Sequence, residues 1–192
     1  MPAHPHAVQN LLISGIPASG KTSFGDWLRD SRGYLHVDLD LADCLKITGL
    51  PPFWSEKERI ADLDTSRLRE FVRHLKTLGK PAVLTWGFNT DLIDFVRELT
   101  GFGVTAWWFE ADRLAARTRY ASRNTVLRNG VYSRGKPDTA LFDRYVATVS
   151  SNWARMAPLF GERVIRSLGA DGRYVDPVSI FDRIQAGMRS VA

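Results

Sequence analysis

Residues 15–22 read Gly15-Ile16-Pro17-Ala18-Ser19-Gly20-Lys21-Thr22, the spacing G-x-x-x-x-G-K-[ST], directly behind the apolar run Leu11-Leu12-Ile13. No other stretch limits the possible folds as strongly. The two glycines let the backbone curl so that successive N–H groups converge on one anion, while Lys21 supplies a cation and Thr22 a hydroxyl suited to Mg2+. The stretch therefore reads as a phosphate-binding loop, with Gly15, Ala18, Ser19, Gly20, Lys21, Thr22 and Ser23 around the phosphates. Such a loop needs a strand before it and a helix after it. The run at 11–13 provides the strand, and Phe24, Trp27 and Leu28 fall on one face of a helix expected from about Lys21. The positive end of that helix dipole then lies under the phosphates.

The rest of the chain alternates in the same way. Tyr34-Leu35-His36-Val37 gives a short strand that closes on Asp38-Leu39-Asp40, and Gly33 ends the helix before it. A short helix over 41–48, a break at Gly49-Leu50-Pro51-Pro52 and a capped helix near 56–62 follow. Asp64 or Thr65 starts a helix to about Leu78 with Leu68, Phe71, Val72 and Leu75 inward. Pro81 to Trp86 and Val104 to Phe109 have the continuous apolar character of buried strands, separated by a helix from about Thr90 to Leu99. From Asp112 a helix carries Arg113, Arg117, Arg119 and Arg123, then gives way at Asn129-Gly130 to a polar loop through Asp138. A helix over about 139–156, a strand at Arg163-Val164-Ile165-Arg166 and a terminal helix opened by Asp176-Pro177 complete the pattern. Five strands alternating with helices predict a parallel α/β sheet with right-handed crossovers, and ligands bind beyond the carboxyl ends of such strands.

Composition narrows the class further. A chain of 192 residues, 44% hydrophobic and 24% charged, suits one globular domain spanning 1–192. The one cysteine, Cys44, excludes an internal disulfide or a cysteine-based zinc cluster. The start Met1-Pro2-Ala3-His4-Pro5-His6 lacks the charged and apolar parts of a signal peptide, and no apolar run reaches membrane-spanning length. A soluble, cytoplasmic protein with no membrane partner is expected. The net charge of +5 permits phosphorylated or nucleic-acid partners without demanding nucleic acid.

The phosphate loop, the D-x-D pair Asp38/Asp40 after the second strand, the Gly87 turn after the third and the arginine-rich segment after the fourth together resemble the small P-loop kinases of the shikimate-, gluconate- and adenylate-kinase type. The resemblance covers nearly the whole chain in order, and the phosphate loop is its specific part. It implies a three-layer α/β/α fold with a five-stranded parallel sheet in the order 2-3-1-4-5, an acceptor-binding insert at about 41–62 and a helical lid at about 112–138. It also implies ATP and Mg2+ as cofactors and transfer of the γ-phosphoryl group to a hydroxyl or phosphate of a small-molecule acceptor.

Residue by residue, the resemblance makes Lys21, Asp38, Asp40, Arg117 and Arg123 the catalytic set. Thr22 and Asp38 serve the metal, and Asp40 serves the acceptor or acts as base. Spaced i, i+2, both carboxylates would share one side of an extended backbone, and the residues alone permit either order of roles. At about 100° per residue, Arg113 and Arg117 share one helical stripe while Arg119 and Arg123 lie about 120–160° away, so an intact helix cannot aim all four at one phosphate. In the kinases it resembles, an arginine near the lid base packs on the adenine and one at the lid proper contacts the transferring phosphoryl group, and Arg117 and Arg123 best fit those positions. Acceptor contacts are expected from Asp40, Trp54, Arg59, Gly87, Phe88 and Asn89, with Phe53 and Trp86 as further candidates. Only one glycine follows the third strand, which disfavours shikimate itself. The third strand also ends Thr85-Trp86-Gly87 without the acid that motor-type ATPases place there, leaving metal duty to Thr22 and Asp38, with Glu110 or Asp112 as substitutes. Two rival readings remain: a kinase of nucleic-acid ends or nucleotide-sugars, suggested by the basic balance, and a nucleotide-dependent switch with little transfer.

Overall fold

The computed structural model describes residues 9–40, 64–87, 93–128 and 131–189. The helices expected over 41–62, with Cys44, Phe53, Trp54 and Arg59, and the turn residues Phe88 and Asn89, lie outside the described residues. The strands are β1 (Asn10–Gly15), β2 (Leu35–Asp38), β3 (Ala82–Trp86), β4 (Val104–Ala111), β5 (Thr125–Arg128), β6 (Val131–Arg134) and β7 (Val164–Leu168). The helices are α1 (Lys21–Arg32), α2 (Thr65–Thr77), α3 (Ile93–Gly101), α4 (Arg113–Ser122), α5 (Thr139–Ser151), α6 (Trp153–Phe160) and α7 (Pro177–Arg189). Five strands form one sheet in the order β2-β3-β1-β4-β7, with every pairing parallel. This is the expected order, its fifth strand being β7.

Side-chain alternation along the central strands builds the three layers. On one face Leu11 and Ile13 of β1, Val83 of β3 and Trp107 and Phe109 of β4 meet Phe24 and Leu28 of α1 and Ile180 and Ile184 of α7. On the other, Leu12, Leu84, Trp86, Ala106 and Trp108 meet the buried stripes of α2, α3, α5 and α6. Helix boundaries follow local chemistry. Asp64 caps α2 by accepting from Arg67 N, Asp112 caps α4 by accepting from Ala115 N, and Gly33 closes α1 in the left-handed conformation at φ 72°. Behind the sheet's edge, the buried His36 ring links Asp26 of α1 at 3.0 Å to the Thr85 hydroxyl of β3 at 2.9 Å.

Two expectations fail for physical reasons. The helix expected from Asp112 to the Asn129-Gly130 break ends at Ser122, and an antiparallel hairpin, β5 on β6, takes up its last residues and the start of the expected polar loop, pairing Thr125 with Arg134 and Arg128 with Val131. Two β-prone runs separated by Asn129-Gly130 are a hairpin signature, and it outweighs the polarity of the segment. The helix expected over about 139–156 is two helices broken at Asn152. The side chains of Ser150, Ser151 and Asn152 bond the carbonyls of Val146 and Thr148, ending α5, and the Asn152 carbonyl then accepts from Arg155 and Met156 to begin α6. Among the described residues no helix is long and apolar enough to cross a membrane.

Candidate functional site

The phosphate loop joins β1 to α1 at the carboxyl edge of the sheet, and its shape is enforced by neighbours. A Cβ on Gly15 would stand 2.6 Å from the Phe109 carbonyl oxygen. Gly20 holds φ 90°, and a Cβ there would come within 3.0 Å of the Tyr174 ring, so glycine is required on two grounds. Ala18 also has positive φ, at 62°, a sparsely occupied conformation for a residue with a side chain. It is secured by the Tyr174 hydroxyl, which donates to Ala18 O at 3.0 Å, while Ser167 Oγ donates to Ser19 O at 2.8 Å.

Several loop groups await a ligand. The α1 N-terminus carries no side-chain cap, since its cap residue is Gly20, and the buried Ser19 Oγ has no hydrogen-bond partner among the described residues. Orphaned N–H groups and a positive dipole end suit an anion. Lys21 Nζ donates to the carbonyls of Gly15 at 2.9 Å and Ile16 at 3.0 Å, so the ammonium is fixed at the loop's mouth with donor capacity to spare. Burial pulls its pKa down to about 8; the Asp40 and Asp38 charges oppose that shift and Arg123 adds to it. A cleft of about 60 Å3 lies over the loop, lined by Ala18, Gly20, Lys21, Thr22, Ser23, Arg123 and Tyr174. A Mg2+-nucleotide fits this donor set: converging N–H groups, one ammonium and one hydroxyl–carboxylate pair.

That pair is Thr22 Oγ1 and Asp38 Oδ2, 3.2 Å apart. Asp38 ends β2 and is nearly buried, and its other oxygen accepts from Asp40 N at 3.1 Å. The strand stops there, and the chain turns through Leu39 and Asp40. The two carboxylates are therefore not simple alternates on one extended face. The turn sends Asp38 to Thr22 and carries Asp40 across to β3, where Gly87 N donates to Asp40 Oδ2 at 3.1 Å. Both still act on Lys21, so the two carboxylates take different partners yet share one cation.

The lid arginines sort by helical phase. Arg117 lies on the exposed side of α4 in a two-point ion pair with Asp143 of α5, at 2.8 and 2.9 Å. The structure therefore does not bring Arg117 to the phosphate loop. Arg119, on the opposite side of the helix, stacks 4.4 Å over Tyr174 and donates from Nε to Gly172 O at 2.9 Å. Arg123 escapes helical phase because it is the C-cap residue with extended backbone; its guanidinium packs 5.5 Å over Tyr120 and lines the phosphate cleft. Asp112 is the α4 cap, Glu110 stands 3.9 Å from Arg166, and Trp86 is buried in the core. Trp86 therefore packs rather than contacting a ligand.

Beside the cleft a cavity of about 440 Å3 opens, bounded by Lys21, Thr22, Asp40, Gly87 and Arg123 and walled by residues of α4, the hairpin and α5. Tyr120, Phe142 and Tyr145 stand in that wall, and none was singled out by the sequence. The signal for Tyr174 was equally absent, since 156 residues separate it from Ala18. For Arg119 the helical phase relative to Asp112 was available and simply did not say which stripe faces the loop.

Comparison with known proteins agrees with this fold. A shikimate kinase from Bacteroides thetaiotaomicron superposes with a TM-score of 0.56 at 15% identity, covering 94% of this chain and 98% of that one. A gluconokinase from Sinorhizobium meliloti 1021 gives 0.52 at 15%, covering 97% and 95%. The tunicamycin resistance protein of Deinococcus radiodurans gives 0.54 at 14%, covering 94% and 95%. No family model and no curated protein sequence matches. The chain has the P-loop kinase fold, and two of these three neighbours are named as kinases of small molecules.

Proposed function

We propose that the protein is a Mg2+- and ATP-dependent phosphotransferase acting on a hydroxyl of a small molecule. The observation that carries this reading is the arrangement around Lys21: Asp38 is bonded to Thr22, while Asp40 is turned away to Gly87 at the wall of the larger adjoining cavity. A nucleotide switch has no need of the second corner.

In this reading the N–H groups at the start of α1, Ser19 and Lys21 bind the β- and γ-phosphates, and Thr22 with Asp38 holds the metal. Mg2+ there would neutralise charge developing between the phosphates. The acceptor hydroxyl lies against Asp40, whose carboxylate orients it and takes its proton. The acceptor oxygen forms a bond to the γ-phosphorus as the bond from that phosphorus to the bridging oxygen breaks, and ADP leaves with the electron pair. Arg123 lies at the boundary between cleft and cavity, where a planar guanidinium can meet the oxygens of the phosphoryl group in flight. Arg119 and Tyr174 border the loop from the β7–α7 side and would flank the nucleotide base. Nucleic-acid ends are less well supported as acceptors, since the cavity is partly closed by the wall of α5.

Calorimetry with Mg-ATP tests the donor half: the wild type should bind and Lys21→Ala should bind about 100-fold more weakly. Equal binding by the two proteins would end this assignment.

A further inference from the structure

Two hydroxyls from the β7 side of the fold hold the phosphate loop by its carbonyls. Ser167, buried in β7, donates to Ser19 O at 2.8 Å, with Glu110 O 3.1 Å away. Tyr174 donates to Ala18 O at 3.0 Å. The chain between the two is tied back on itself: Gly169 N donates to Arg173 O, Gly172 N to Gly169 O and Val175 N to Ser167 O, each at 3.0 Å. Both hydroxyls are therefore carried by one hydrogen-bonded turn, on which Arg119 also rests through Gly172 O and the Tyr174 ring.

Peptide geometry gives this grip its consequence. A trans peptide is planar, so its C=O and N–H point in opposite directions, and no peptide among the described residues is cis. In the 18–19 peptide both ends are taken, Ala18 O by Tyr174 and Ser19 N by Ile16 O at 3.2 Å. In the 19–20 peptide only the carbonyl is taken. With Ser19 O drawn toward Ser167, Gly20 N–H is turned the other way, and among the described residues it has no partner. Gly20 O accepts from Phe24 N at 2.9 Å, so Gly20 N–H stands just ahead of the uncapped first turn of α1. The loop does not hold this shape unaided, because Ala18 at φ 62° occupies a conformation that persists only where the surroundings enforce it.

We infer that Ser167 and Tyr174 are positioning residues for phosphate binding: by holding the carbonyls of Ser19 and Ala18 they aim Gly20 N–H at the nucleotide's phosphates. This rests on the phosphotransferase reading for its ligand. In this role neither hydroxyl touches the phosphate. A donor fixed before the ligand arrives needs no ordering when it binds, and that is the gain the two hydroxyls supply.

The test uses inorganic tripolyphosphate with Mg2+, which presents the phosphates without base or sugar, and reads affinity by calorimetry. Tyr174→Phe removes one neutral hydrogen bond at an exposed ring and should weaken binding about fivefold, while Ser167→Ala leaves a buried carbonyl unpaired and should weaken it about tenfold. Glycine adopts the Ala18 conformation without strain, so in an Ala18→Gly background Tyr174→Phe should cost less than about twofold. A residue that only stabilised the fold would give the same loss in both backgrounds. The aim of the donor is read separately by NMR of the 15N-labelled protein. Saturating tripolyphosphate should shift the Gly20 amide proton in the wild type, and that shift should be reduced in Ser167→Ala. Variants that bind as tightly as the wild type overturn the inference, as does a Tyr174→Phe loss undiminished in the Ala18→Gly background or an unaltered Gly20 shift in Ser167→Ala. If Ser167→Ala does not fold, the two Tyr174→Phe measurements decide. A wild type that binds neither tripolyphosphate nor Mg-ATP ends the donor assignment and this inference together, whereas a binding wild type with unaffected variants ends this inference alone.

Discussion

The two halves of the site are made in different ways. The donor half is nearly contiguous: the eight residues 15–22, from the end of β1 into the first turn of α1, supply the backbone N–H groups, the ammonium and the hydroxyl, and only Asp38, Arg119, Arg123 and Tyr174 come from elsewhere. The acceptor half has no contiguous piece. Asp40 arrives from the end of β2, Gly87 from β3, Tyr120 from α4, and Phe142 and Tyr145 from α5. A loop whose function is to grip an invariant chemical group can be encoded locally, whereas a surface that must match one acceptor is assembled from side chains whose proximity depends on packing.

Substitutions should separate these halves. The largest effect is expected for Asp40→Asn, which leaves the hydrogen bond to Gly87 N possible but removes the base: kcat should fall roughly 100- to 1,000-fold with Mg-ATP affinity unchanged. If single-turnover rates are unaltered, Asp40 is not the proton acceptor. Lys21→Ala should weaken Mg-ATP about 100-fold by calorimetry, the scale of a lost charged hydrogen-bonding group, while binding of acceptor alone persists. Loss of both would mean that the halves are not independent.

The depressed pKa of Lys21 gives a pH test of the same division. In the free protein the ammonium loses its proton above about pH 8, and phosphate binding favours the charged form, so binding must take up a proton there. Mg-ATP affinity should therefore fall about tenfold between pH 7 and pH 9, with proton uptake measurable in buffers of different ionisation enthalpy. A flat profile would show that Lys21 stays charged. For folding the sign is opposite. Between about 8 and the ordinary lysine value the unfolded chain holds the proton that the folded one has released, so this group's unfavourable contribution diminishes as pH rises through that window.

The smallest effects sharpen the lid. Arg119→Ala should raise the KM for ATP about fivefold through loss of the stack on Tyr174, and Arg117→Ala should leave kcat and both KM values unchanged because its partner Asp143 is remote from the cleft. The reverse pattern would mean that α4 rotates on closing.

What could be read from the sequence follows the same division. Strand and helix positions, the sheet order by resemblance, the phosphate loop and the Asp38/Asp40 pair were all visible, since each is a matter of periodicity or of residues a few positions apart. The hairpin at 125–134 was written in the sequence, as two β-prone runs around Asn129-Gly130, but the surrounding charge suggested a loop. The break at Asn152 depended on three consecutive side chains turning back onto helix carbonyls, a competition that periodicity does not register.

The sequence by itself determined a curled, glycine-bearing loop suited to a phosphate at the start of α1 and the two acids near it, because backbone curl, helix dipole and spacing are local properties. Tertiary structure alone decided which arginine reaches the loop, that Tyr174 braces Ala18 across 156 positions, and that the cavity beside Asp40 is walled by rings. Those outcomes depend on the rotation of α4 and α5 against the sheet. Burial of the whole apolar surface sets that rotation, and no short segment carries the information.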